Sequence, residues 1–135
     1  DHKDYNSVIN AVNINYTSRF IINSIFLRAF KKNITLVDIS SGAHKQGSST
    51  WGIYCSTKAA NVVLHQSIAK ENENCRVLNY SPGIMKTKMQ DEIADSSIKS
   101  PTKEFLGKII ALGRAVPIQD SVNELLRVLE EDKFN

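Results

Sequence analysis

The feature that most constrains the fold is a pair of short apolar segments separated by a loop and a helix-length stretch. The first, ITLVDIS (34–40), is rich in β-branched residues, which is typical of a strand buried on both faces. The second, CRVLNYS (75–81), is stopped by a Pro-Gly pair. A serine- and glycine-rich loop (41–50) and a helical stretch (51–71) lie between them. This order predicts a right-handed βαβ unit with two parallel strands.

Helical patterns flank this unit on both sides. Residues 5–30 are predicted to form one long helix, because apolar side chains recur at helical spacing from Ile22 onwards. Shorter helices are predicted at about 86–93, 102–112 and 119–131. The last of these is expected to bury a stripe made of Val122, Leu125, Leu126 and Leu129.

Two parallel strands are too few for a stable sheet of their own. An all-parallel sheet needs helices on both faces, and isolated strand pairs are at best marginal in water. The helices predicted here would suffice for a larger sheet, whereas the strands would not. We therefore expect an α/β fold in which this chain supplies part of a larger parallel sheet.

Charge and composition exclude several classes of function. The net charge is only +3 and the 17 basic residues are scattered, so we expect no nucleic-acid partner. No apolar run approaches the roughly 18 residues that a membrane span requires, and the polar start does not resemble a secretory signal. Cys55 and Cys75 lack neighbours at metal-ligand spacing, which predicts no metal site and a reduced, cytoplasmic protein. His65 is expected at the helix surface or an interface.

Tyr54 and Lys58 are the first candidates for chemistry. They are four residues apart at the start of a predicted helix, which places them on one face, one turn apart. An ammonium beside a phenol favours the phenolate form, and such a tyrosine can exchange a proton with a carbonyl or alcohol oxygen. The spacing alone is common in helices, so the pair needs support from its surroundings.

The ends of both predicted strands supply that support. Ser41 follows the first strand and lies thirteen residues before Tyr54. Pro82 and Gly83 follow the second strand, and Gly83 leaves room for close approach of a ligand. Ligands of open α/β sheets bind at the carboxyl ends of the strands, so these residues should converge on one site. Ser40 competes with Ser41 for the same role and is expected to be structural.

Together these residues resemble the second half of a short-chain dehydrogenase/reductase. The family pattern is matched by Ser41, Tyr54, Lys58, an N-x-x-P-G-x-x-x-T run at 79–87, and Asn15 in INYTS. The resemblance covers nearly the whole chain. It implies part of a doubly wound, Rossmann-like parallel sheet, with this chain forming the C-terminal half of a three-layer αβα sandwich.

The resemblance also implies an activity and a role for each residue. It is greatest to enzymes that reduce the side-chain ketone of a pterin with NADPH, as in tetrahydrobiopterin biosynthesis. Tyr54 would donate a proton to the carbonyl oxygen, while Lys58 would favour the phenolate and bind the nicotinamide ribose. Ser41 would hold the carbonyl, and Asn15 would anchor a water that relays protons to Lys58. The substrate would be bordered by Gly42 and Gly83, and the nicotinamide by Met85, Lys86 and Thr87.

Residues 1–135 contain neither the family's glycine-rich nucleotide-binding turn nor the tail that anchors a pterin ring. We therefore expect a single piece of a larger domain, lacking the N-terminal half, and the preference between NADP and NAD stays open. Reduction of another ketone or dicarbonyl is one alternative function. A non-catalytic dimerisation scaffold is another. In either case the resemblance implies a homodimer formed through helices 5–30 and 51–71.

Overall fold

The computed structural model describes residues 4–30, 32–131 and 134. The predicted long helix at 5–30 is a continuous helical run with a π turn in its middle. The elements in chain order are α1 (Tyr5–Val12), the π turn (Asn13–Thr17), α2 (Ser18–Ala29), β1 (Ile34–Ile39), a 3₁₀ helix (Gly42–Lys45), α3 (Gly52–Glu71), β2 (Cys75–Tyr80), α4 (Lys88–Asp95), α5 (Pro101–Ala111) and α6 (Ile118–Glu131).

The predicted βαβ unit is confirmed. Strands β1 and β2 pair in parallel, with a register that runs from Ile34 opposite Cys75 to Ile39 opposite Tyr80. Helix α3 connects them and occupies the range expected from the periodicity. Because both strands run the same way, their carboxyl ends lie at the same edge of the sheet.

The hydrophobic core lies between the sheet and helices α2 and α3. Three buried residues form its centre: Ile68, Cys75 and Val77. Half-buried apolar residues pack against them, namely Leu27, Ile34, Leu36, Leu64 and Ala69. Helix α6 lies on the opposite face, where the Tyr80 hydroxyl donates a 2.6 Å hydrogen bond to the Ser121 carbonyl. Since successive strand residues face opposite ways, Cys75 and Tyr80 identify a helix layer on each side of the sheet.

Two burial predictions were wrong. Strand β1 is not buried on both faces, because Val37 and Ile39 remain 38% and 47% exposed on the α6 side. Helix α6 is attached to β2 through Tyr80, so the β1 half of that face stays uncovered within the described ranges. The expected apolar stripe of α6 is likewise partly exposed, since Val122 and Leu126 face solvent while Ser121 is buried.

The sheet has an open edge at β1. This strand pairs with β2 on one side, and the described part of the chain contributes no strand to its other side.

None of the helices that the structure describes is long and apolar enough to span a membrane.

Candidate active site

Tyr54 and Lys58 lie on the same face of α3, in its first two turns. The Lys58 Nζ atom is 5.7 Å from the centre of the Tyr54 ring, within the range of a cation–π contact. The Trp51 ring meets the Tyr54 ring edge-on, with centroids 5.4 Å apart. Tyr54 itself is half-buried. The phenol therefore lies beside a cation and keeps a path to solvent.

Lys58 joins α3 to the end of β1. Its Nζ atom donates a 2.7 Å hydrogen bond to the carbonyl oxygen of Ile39, the last residue of the strand. The side chain is buried, and this burial lowers the pKa of Lys58, with the charge of Arg19 lowering it further. An ammonium group has three N–H donors, so two remain for other acceptors beside Tyr54.

Ser41 lies two residues after the end of β1 and is the N-cap of the 3₁₀ helix. Its Oγ atom accepts a 3.2 Å hydrogen bond from the Ala43 amide, and its carbonyl accepts one of 2.6 Å from His44 Nδ1. The competing Ser40 is only 3% exposed, and its Oγ lies 3.5 Å from the same His44 nitrogen. Ser41 is half-buried and thus the more accessible of the two. Its catalytic role stays a prediction.

Asn15 lies in the π turn between α1 and α2. The Ser18 amide donates to the Asn13 carbonyl, which is the i to i+5 bond of a π turn. The main-chain oxygen of Asn15 accepts a 2.8 Å hydrogen bond from Asn61 Nδ2. Asn15 is therefore linked to α3 through Asn61, a residue that the motif comparison did not single out. Single-turn π segments recur at functional sites, and the catalytic role of Asn15 stays a prediction.

A second buried link joins α2, α3 and β2 through His65. Its Nδ1 atom lies 2.9 Å from Asn79 Oδ1, and its Nε2 atom lies 2.9 Å from Asn23 Nδ2. An amide oxygen can only accept and an amide nitrogen can only donate, so the ring is neutral with its proton on Nδ1. The expectation of a surface position was wrong, because His65 is 3% exposed. Positions 58, 61, 65 and 68 share one helical face, and all four residues are buried although three of them are polar.

An ion pair lies beside this link. The Arg19 guanidinium on α2 bonds Asp38 Oδ1 on β1, and the Asp38 side chain is 1% exposed. Asp38 is paired in register with Asn79 on β2. The Asp38 Oδ2 atom has no hydrogen-bond partner within the described residues. A buried polar layer therefore connects α2 to both strands behind the Tyr54–Lys58 pair.

Gly83 forms the turn after β2. Its φ angle is +83°, and a Cβ atom added to it would lie 2.9 Å from Val116 Cγ2. Both facts require glycine for reasons of folding, independent of any ligand. A Cβ atom added to Gly42 would meet nothing within 4 Å, so packing does not require glycine there. Whether either residue borders a substrate stays a prediction.

The residues expected beside the nicotinamide lead into helix α4. Met85 and Thr87 are half-buried, whereas Lys86 is exposed. Thr87 is the N-cap of α4, and its carbonyl accepts the Gln90 amide at 2.8 Å. Its hydroxyl makes no capping hydrogen bond. The hydroxyl and the first amides of α4 are thus available to a polar ligand.

A cleft of about 380 Å³ opens beside Tyr54. One wall carries Trp51 and Tyr54, and the other consists of residues from α4, from the start of α5 and from the segment between them. That opposite wall contains Met89, Glu92, Ile93, Ser96, Ile98, Ser100 and Lys103. The volume suits a small organic molecule, and the lining is mostly apolar with a few polar groups, as in typical ligand sites.

The amino-acid sequence is similar to those of known reductases. Residues 1–97 match the family model for short chain dehydrogenase. Sepiapterin reductase of Bos taurus is 34% identical over 99% of this chain and 52% of its own length. Benzil reductase ((S)-benzoin forming) of Bacillus cereus is 29% identical over 93% of this chain and 54% of its own length. The chain thus spans about half the length of these curated relatives.

A solved structure has the same architecture. A short chain dehydrogenase/reductase from Saccharomyces cerevisiae superimposes with a TM-score of 0.78 and 28% sequence identity. The superposition covers 85% of this chain and 47% of that one. The two parallel strands therefore belong to a Rossmann-like sheet, as predicted from the sequence.

Proposed function

Because this chain belongs to the short-chain dehydrogenase family, we propose that the complete protein is a carbonyl reductase that uses NADPH. Its proposed substrate is the side-chain ketone of a pterin, as for a sepiapterin reductase in tetrahydrobiopterin-type biosynthesis. One observation supports this most strongly: Tyr54 lines a cleft of about 380 Å³, and the buried Lys58 lies one turn away on the same helix face. In this proposal residues 1–135 form the C-terminal half of the domain.

Tyr54 is the proposed proton donor to the carbonyl oxygen. Tyr54 is one of the residues that line the cleft, and the proposal places the substrate carbonyl there, within reach of the phenol hydroxyl. Ser41 is proposed to hold the same oxygen. Because Ser41 Oγ accepts from the Ala43 amide, the hydroxyl hydrogen can still be donated to a substrate. Gly42 and Gly83 are proposed to border the substrate from the ends of the two strands.

Lys58 is proposed to stabilise the phenolate that forms when Tyr54 gives up its proton. The bond from Nζ to the Ile39 carbonyl fixes the ammonium beside the ring. Burial strengthens its interaction with the phenolate, since the effective dielectric constant is lower than in water. Asn15 is proposed to anchor a water that returns the proton through Lys58.

The residues on this side of the sheet fit a nicotinamide cofactor. Lys58 has N–H donors left for ribose hydroxyls. The Thr87 hydroxyl, which makes no capping hydrogen bond to α4, can bind an amide or a phosphate. Met85 and Lys86 lie in the segment leading to Thr87 and would line the same side. When bound, NADPH would supply the hydride, while the protein supplies position and the proton.

The complete protein is proposed to be a cytoplasmic homodimer. A groove of about 700 Å³ runs between α2 and α3 and is lined mainly by apolar side chains, including Phe20, Leu27, Val63 and Leu64. Phe20 and Val63 are 48% and 61% exposed. A second copy of the same helix pair would bury this face, and the two pairs together would form a four-helix arrangement.

The test is NADPH oxidation by the complete gene product with sepiapterin, in parallel with benzil. We expect turnover of sepiapterin and a loss of about 10²–10⁴-fold in kcat for Tyr54→Phe, the usual contribution of a positioned acid. Tyr5→Phe is the matched control, because Tyr5 is 78% exposed and outside the cleft. Survival of activity in Tyr54→Phe would show that the proton donor is assigned wrongly.

The same assay separates the alternatives. Reduction of benzil without reduction of sepiapterin would favour a dicarbonyl reductase over a pterin reductase. Absence of any carbonyl reduction, with the dimer intact, would favour the non-catalytic scaffold.

A further inference from the structure

Asn61 is completely buried, with 0% of its surface exposed. It lies in the interior of helix α3, three residues after Lys58 and on the same face. Asparagine is mostly exposed in proteins and is a poor helix former, so neither packing nor helix propensity accounts for it. Its two polar atoms therefore indicate what it does.

The nitrogen atom of the Asn61 amide binds the π turn. Asn61 Nδ2 donates to the Asn15 carbonyl at 2.8 Å, and no other arrangement of the amide is possible because the carbonyl can only accept. Side chains that bond into a helix ladder are one physical cause of local helix distortion. This contact fixes Asn15 at a defined distance from the face of α3 that carries Lys58.

The oxygen atom of the amide points into the protein without a partner. Asn61 Oδ1 is buried and accepts no hydrogen bond from any residue that the structure describes. Such buried oxygens in native proteins nearly always accept from a neighbouring donor or an internal water. Lys58 lies three residues earlier on the same helix face, and one of its three N–H groups is used by the Ile39 carbonyl.

We propose that Asn61 is a positioning residue for proton transfer: its amide nitrogen fixes the Asn15 turn, and its oxygen binds a water held by Lys58. The inference rests on the proposed reductase function, because it gives Asn61 a part in returning the proton through Lys58. It requires an N–H donor and an acceptor oxygen on one planar group. An apolar residue of the same shape would fill the space without supplying either.

The test compares three variants of the complete gene product. Asn61→Leu keeps the approximate volume and removes both polar atoms. Asn61→Asp keeps both when its carboxyl is protonated, because an acid O–H donates and the second oxygen accepts. Asn72→Leu is the matched control, since Asn72 Nδ2 donates a 2.9 Å bond to the Ile68 carbonyl at the far end of the same helix.

The expected result is a loss of turnover that depends on protonation. Asn61→Leu should lower kcat about tenfold with KM within about twofold of wild type, whereas Asn72→Leu should keep both. Asn61→Asp should approach wild-type kcat as the pH falls and lose it as the pH rises. A wild-type kcat in Asn61→Leu, or an equal loss in Asn61→Asp at every pH, would overturn the proposal. If Asn61→Leu does not fold, the pH profile of Asn61→Asp decides.

A second measurement is independent of activity. In ¹⁵N-labelled wild-type protein, the Asn61 side-chain amide protons should exchange with solvent far more slowly than those of Asn72. If no carbonyl is reduced, the proposed function fails, and slow exchange still supports the contact with Asn15. Exchange as fast as that of Asn72 would overturn the inference even in an active enzyme.

Discussion

Lowering the pH from 7 to 5 is expected to destabilise the protein through one buried side chain, His65. In the folded state its Nδ1–H donates to Asn79 and its Nε2 accepts from Asn23, each at 2.9 Å. Protonation would place an N–H of the imidazolium against the N–H donors of Asn23, and no acceptor would remain on that side. Folding therefore favours the neutral ring.

The groups around His65 also favour its neutral form on balance. Burial lowers the pKa of His65, the hydrogen bond with Asn79 raises it, and the charge of Arg19 lowers it again. The net result is a folded pKa below the unfolded value of about 6.5. Arg19 is itself paired with the buried Asp38 carboxylate.

The sign and size of the effect follow by linkage. Below pH 6.5 the unfolded chain binds more protons than the folded protein, so the free energy of unfolding falls as the pH falls. The slope is at most about 1.4 kcal/mol per pH unit, which gives up to about 2 kcal/mol between pH 6.5 and 5. Above the unfolded pKa the contribution is complete and the slope vanishes. A loss of this size is a large fraction of a typical folding free energy.

Urea unfolding, followed by the fluorescence of Trp51 at half-unit pH steps, measures this slope. His65→Gln should be less stable at pH 7 but should lose little further stability down to pH 5. Asn23→Asp should also remove the loss of stability at low pH, because a carboxylate accepts a hydrogen bond from the imidazolium and favours the charged ring. If His65→Gln keeps the wild-type dependence of stability on pH, or if the wild type shows no such dependence, the assignment of a neutral His65 between Asn79 and Asn23 is refuted. A wild type without pH dependence would result if the Asn23 amide rotates when the ring is protonated.

Two further predictions concern the ion pair and the helix groove. Arg19→Met should destabilise the protein by about 3–5 kcal/mol in thermal or urea unfolding, because it leaves the buried Asp38 carboxylate unpaired. Adding Asp38→Leu to Arg19→Met should recover most of that loss, and a double variant as unstable as the single one would contradict the assignment. Val63→Glu should convert the proposed dimer to monomer in sedimentation, while Gln66→Glu, exposed on the same helix, should not. Dimers that persist in Val63→Glu would place the interface elsewhere.

The sequence was sufficient for the elements that depend on local pattern. Helix α3 and both strands were predicted to within a residue or so, because the apolar runs are bounded by strong turn signals such as Pro82-Gly83. The parallel arrangement followed from the length of the connection between the strands. The grouping of Tyr54 and Lys58 followed from helical geometry alone.

Contacts between distant polar residues could not be predicted in this way. A face bearing Lys58, Asn61 and His65 has the polarity of a solvated surface, yet all three are buried. Their partners, such as Asn15 and Asn79, lie 14 to 46 residues away in the chain, so only the folded structure shows that they are satisfied. The exposure of Val37 and Ile39 was missed for a related reason. An apolar sequence indicates that a strand is suited to burial, but it does not show which segment packs against it.

The open edge of β1 has a consequence for protein engineering. A strand paired on one side presents a row of amide and carbonyl groups on the other, about 4.8 Å from where the next strand would lie. A polypeptide that supplies this strand would be recognised through its backbone, with Val37 and Ile39 adding apolar contact on one face. Such a segment, expressed separately, would join this chain along β1, so the edge is a suitable junction for a two-part reporter of protein–protein contact.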